Sequence, residues 1–99
     1  MKIINQVQPV IDELMLEDTY CLRPAGFRSV VETYLGEEEV IIESHIMTLE
    51  EDLDRYREYF ELEISEGNDD KADIIAGWLV DIKGEIRLMR RMIEYNNGV

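Results

Sequence analysis

Residues 19–47, TYCLRPAGFRSVVETYLGEEEVIIESHIM, decide which fold class this chain belongs to. The segments TYCLR, FRSVVETYL and EVIIESHIM are rich in β-branched and aromatic residues. PAG and Gly36 followed by acids separate them and read as turns. That pattern predicts a three-stranded antiparallel meander. The competing reading is helical, with Gly36 as a cap and Glu37, Glu38 and Glu39 in a favourable first turn. Thr48 tips the choice. Thr48-Leu49-Glu50-Glu51 carries the capping-box pattern of Thr followed three residues later by Glu, which predicts that a helix begins there and that the preceding segment is something else. The expected fold is therefore α+β: an N-terminal helix, a small meander, then two long antiparallel helices. An all-α helical bundle is the alternative.

The flanking segments are clearer. Ile3, Val7, Val10 and Leu14, with Ile4 and Ile11 alongside, repeat at a helical period across residues 2–16. Pro9 implies a kink, or a start near Gln8 with Pro9 in the first turn. Leu49, Leu53, Tyr56 and Phe60 predict a second helix, stopped by Gly67. Ile75, Leu79, Ile82, Ile86, Met89 and Ile93 predict a last helix of about seven turns. The short connection between these two makes them antiparallel neighbours. There is no internal repeat and no visible domain boundary, so 1–99 reads as one acidic domain.

The last helix is apolar or small on two sides. Opposite the Ile75/Leu79/Ile82/Ile86 seam lie Gly77, Val80, Gly84, Leu88 and Tyr95. Glycines at 77 and 84 let another backbone approach closely, either from within the chain or from a second copy. Gly77, Val80, Gly84 and Leu88 are thus the candidate homodimer face. Trp78, at the edge of the first seam, reads more readily as core than as a binding anchor.

Charge excludes more than it identifies. The chain carries 23 acidic and 10 basic residues, a net charge of −13, with a pI near 4.3. Direct binding to nucleic acid or to an anionic membrane is disfavoured, because both need counter-charges that are scarce here. Residues 27–66 hold thirteen acids against three bases. On the 49–66 helix, Glu51, Asp54, Glu58 and Glu61 are spaced three, four and three, opposite the apolar seam, with only Arg55 placed to offset Glu51. Its carboxylates recur about every 3.5 Å along the axis, near the spacing of about 3.4 Å between phosphates on one DNA strand. Asp69 and Asp70 extend the acidity around the hairpin tip, where a helix N-terminus also favours them. Lys83, Arg87, Arg90 and Arg91 form a smaller basic line suited to carboxylates on an antiparallel neighbour.

Catalytic chemistry is sparse. One cysteine, Cys21, and one histidine, His45, fall in no motif and do not suffice for a structural zinc site. NDDKAD lacks the alternating ligands of a calcium loop, and no phosphate-cradling glycine loop occurs. No cofactor and no metal are expected. The N-terminus shows neither an apolar signal core nor a spanning segment, so a cytoplasmic location is the default expectation. The functional expectation is a non-enzymatic acidic module that binds a basic, nucleic-acid-binding protein, in the manner of inhibitors and DNA mimics of viral or mobile-element origin. Its expected contacts are Glu51, Asp54, Glu58, Glu61, Asp69 and Asp70. The alternative is a structural homo-oligomer or adaptor assembled through the C-terminal helix.

Overall fold

The computed structural model describes residues 7–17 and 19–98. Among the described residues four helices follow one another: α1 (Val7–Met15), α2 (Pro24–Tyr34), α3 (Glu39–Ser65) and α4 (Asp69–Asn97). No strand occurs among the described residues, so the expected meander is replaced by helix and the chain is all-α.

The reason lies in the spacing of the β-branched residues. Phe27, Val30, Val31 and Tyr34 sit three, one and three apart, which gathers them on one helical face. Phe27, Val30 and Val31 are buried there. Lower helix propensity costs Val about 0.7 kcal/mol or less relative to Ala, whereas burying its side chain yields about 1.5–3 kcal/mol. Burial wins. Pro24, read as part of a turn, occupies the first turn of α2, where its missing N–H costs nothing.

Thr48 does not cap a helix. Ile42, Ile46, Leu49, Leu53, Tyr56 and Phe60 continue one seam at spacings of four, three, four, three and four, straight through the apparent capping box. The Thr48 hydroxyl donates instead to the Ser44 carbonyl at 3.3 Å, as mid-helix threonines do. The helix starts at Glu39, nine residues earlier, with Glu38 as N-cap.

Gly36 is a turn residue as expected, but the turn joins two helices. Leu35 has φ −62 and ψ 118, Gly36 has φ 78, and the Glu37 N–H donates to the Tyr34 carbonyl at 3.0 Å. This is a type II turn, whose third residue requires positive φ. Gly67 (φ 77) closes α3 in a Schellman arrangement: Asn68 N–H bonds Glu63 C=O at 2.9 Å and Gly67 N–H bonds Ile64 C=O at 3.1 Å.

The α3–α4 hairpin is the spine of an elongated molecule, 49 × 25 × 19 Å. At about 1.5 Å per residue each long helix spans about 40 Å. α2 lies alongside the lower half of α4 and parallel to it. Leu22, just before α2, packs on Gly84, while the Tyr34 carbonyl at its end meets Asn96. α1 packs on α2. The core therefore concentrates at this end, where Leu14, Val31, Ile42, Leu88, Met89 and Met92 are fully buried. In α1, Val7, Val10, Ile11 and Leu14 form the buried face and Pro9 falls in the first described turn. Ile3 and Ile4 lie outside the described residues.

The basic line of α4 is largely occupied. Arg90 pairs with Glu50 of α3 at 3.1 Å and Arg91 with Glu17 at 3.0 Å. Arg87 donates to the Thr19 carbonyl at 3.3 Å.

Candidate functional site

Because α1 and α2 cover only the lower half, the upper half of the hairpin stands alone as two helices among the described residues. Residues 51–82 in that half carry eleven carboxylates and three basic groups.

Glu51, Asp54, Glu58 and Glu61 are all exposed and share the outer side of α3. Arg55, expected to offset Glu51, pairs instead with Asp52, three residues back. Arg57 lies 3.7 Å from Asp54. Glu51, Glu58 and Glu61 have neither an ion pair nor a hydrogen bond to any described residue. The row is thus a line of solvated carboxylates with one loosely paired member. Asp69 and Asp70 open α4 at the tip and are exposed as well.

The two glycines of α4 separate in role. A Cβ on Gly84 would lie 2.0 Å from the Tyr20 carbonyl oxygen and 3.1 Å from the Leu22 side chain, so the connector before α2 crosses α4 at this point. Leu88, one turn on, is fully buried in the same core. These two of the four candidate dimer-face residues are enclosed by the chain itself. Gly77 has open space where a side chain would be, and Val80 is exposed.

Below the row, a cleft of about 310 Å³ opens between α2 and α3, with Glu85 and Met89 of α4 among its walls. Tyr34 and His45 meet across it, hydroxyl to Nδ1 at 2.9 Å, with their rings edge to face. Desolvation pushes the Glu85 carboxyl above its usual range, and the neighbouring Asp81 charge adds to the effect. Cys21 is not part of this cleft. It lies exposed in the connector with φ 54. Among the described residues no group of three His, Cys, Asp or Glu side chains is placed to hold a metal ion. No helix among them is long and apolar enough to cross a membrane.

Sequence reasoning missed an aromatic strip on the flank of the hairpin. The Trp78 ring lies 5.5 Å from that of Tyr56, and Tyr56 lies 6.2 Å from Tyr59. Trp78 is 48% exposed, Tyr59 47% and Ile74 56%, so Trp78 is no core residue. The available signal was Ile74 and Trp78, four apart and off the Ile75 seam.

The fold is an all-α helical hairpin with a two-helix cap at its base. No protein-family model, characterised protein or solved structure matches the chain.

Proposed function

We propose that the protein is a non-enzymatic acidic module that binds a basic surface of a partner protein, one that otherwise holds nucleic acid. The observation that carries this reading is the solvated row Glu51, Asp54, Glu58 and Glu61 on a half-hairpin with no other helix packed on it among the described residues. Like charges at these spacings oppose the helix by about 0.2–0.5 kcal/mol per pair, and a lysine at any of these exposed positions would relieve that cost. Asp69 and Asp70 lengthen the surface around the tip. A basic groove evolved for phosphates gains from a line of carboxylates through the same counter-charge physics. This is inhibition by imitation of DNA, and it requires no catalytic group or cofactor.

The test is capture of the tagged protein's partner from nuclease-treated cell lysate, followed by elution with duplex DNA. A basic nucleic-acid-binding protein released by the DNA is the expected result. Reversing Glu51, Asp54, Glu58 and Glu61 to lysine should abolish capture with helicity intact. Undiminished capture by that variant sinks the reading. The second reading, a homo-oligomer through α4, draws on exposed Gly77 and Val80, and predicts that Gly77→Leu converts a dimer to a monomer.

A further inference from the structure

Ile74, Trp78, Asp81, Glu85, Met89, Met92 and Asn96 follow one line along α4 at spacings of four, three, four, four, three and four. The cap covers the lower end of this line. Met89 and Met92 are buried, and Asn96 bonds the Tyr34 carbonyl. Above Glu85 no described residue from outside the hairpin covers the line, and Ile74 and Trp78 are exposed. The same flank of α3 contributes Tyr56 and Tyr59, so two helices form a shallow groove floored by Tyr56, Tyr59, Ile74 and Trp78. Along α4 it runs from Asp70 to Glu85, about 22 Å, the length of a helix of about 15 residues.

We infer that this groove is a docking site for a basic amphipathic helix of a partner protein, lying end-on to α2 and completing a three-helix bundle along the upper hairpin. Apolar anchors on such a helix meet the aromatic floor, as in other helix-in-groove contacts, where tryptophan and tyrosine contribute most. Its cations meet the rim. Asp81 and Glu85 border the groove on α4, and Asp52 and Glu63 border it on α3. Among the described residues the bases on this side are Arg55, already paired with Asp52, and Lys71 near the tip. Burial and the neighbouring Asp81 charge already disfavour the Glu85 carboxylate, and a lysine or arginine placed over it relieves that. A second copy of the chain fits less well, since it brings another −13 and the same carboxylates against this rim. The groove lies on a different side of α3 from the outer acidic row, so the inference stands whether or not that row binds a basic partner.

The probe is a fluorescein-labelled 15-residue peptide of leucine and lysine patterned for one apolar helix face, with a leucine–glutamate peptide as control, at about 0.15 M salt, where charges more than about 8 Å apart are largely screened. Trp78 is the chain's one tryptophan, so its emission reports occupancy. Saturable 1:1 binding of the lysine peptide is expected, with a blue shift of Trp78 and amide NMR shifts clustered around Tyr56, Tyr59, Ile74, Trp78 and Glu85. Anisotropy should show at least a tenfold loss of affinity in Ile74→Ser and in Tyr59→Ser at unchanged helicity. A Glu51/Asp54/Glu58/Glu61→Gln variant should stay within threefold of the parent. Absence of binding, NMR shifts that follow the outer row, or equal loss in the Gln variant overturns the inference. So does sedimentation showing that the free chain buries Trp78 by self-association, which makes a second copy the occupant.

Discussion

Asn96 near the end of α4 holds the Gly36 turn from both sides. Its Oδ1 accepts from the Gly36 N–H at 2.9 Å, and its Nδ2 donates to the carbonyls of Tyr34 at 2.9 Å and Glu37 at 3.3 Å. Backbone N–H groups only donate and carbonyls only accept, so the amide can face just one way. One side chain thereby ties the α2–α3 turn to the far end of the chain. Asn96→Ala leaves the Gly36 N–H and the Glu37 carbonyl to find water in a partly closed site, while the Tyr34 carbonyl keeps its bond from the Glu37 N–H. It is expected to cost about 1–3 kcal/mol, read as a lower urea midpoint at unchanged m-value.

The two α4 glycines should respond in opposite directions to the same substitution. Gly84→Ala drives a Cβ into the Tyr20 backbone and should cost about 1–3 kcal/mol through overpacking. Gly77→Ala meets open space in a helix interior and should stabilise by about 1 kcal/mol or less. Paired thermal melts check both, and equal responses contradict the crossing of the connector at Gly84.

Glu17, Tyr20 and Arg91 form a network at that crossing, with the Tyr20 hydroxyl donating to Glu17 and Arg91 bonding both carboxylate oxygens, Oε1 at 3.2 Å and Oε2 at 3.0 Å. Burial, with help from the Glu17 carboxylate, pushes the Tyr20 phenol up to about 12 from 10.0. The unfolded chain then releases this proton first. Stability is fully present below pH 10 and falls as pH rises through about 12. The Tyr20 hydrogen bond and Arg91 hold Glu17 below its ordinary value of 4.5. Its contribution is present above that value and fades as pH falls through the lowered one. Tyr20→Phe should flatten the alkaline limb of a stability–pH profile and weaken the acid one.

Relief of the outer row should be measurable in the free protein. Glu58→Lys replaces repulsion from Asp54 and Glu61 by attraction at helical spacings, and should raise stability by about 0.4–1 kcal/mol, less at high salt. Urea titrations at low and high ionic strength read both the gain and its screening. A variant more stable but poorer at partner capture would mean that the row is kept for binding at a cost in stability.

Much of the hairpin was legible because helical periodicity is a local property. The Leu49–Phe60 and Ile75–Ile93 seams, the Gly67 stop and the antiparallel pairing follow from residues close in the chain. The outer row was legible for the same reason, since residues at positions i, i+3 and i+4 share a face whatever else folds. The strand reading of 19–47 failed because β-branched residues were weighed by propensity. Propensities differ by tenths of a kcal/mol, and burial on α4 outweighs them several-fold. The Thr48 pattern misled because a capping box is a short motif that also occurs on the exposed face of a continuing helix.

By itself the sequence determined α4 and the part of α3 after Thr48, their acidic face and the positions where glycine permits close approach, since each depends on spacing along one chain. Only the tertiary structure decided that Gly84 meets Tyr20 while Gly77 meets solvent, and that α2 stops at half the height of the hairpin. It therefore also decided that Trp78 and Tyr59 are uncovered. Those outcomes depend on where a connector remote in sequence crosses α4, and no local period encodes that crossing.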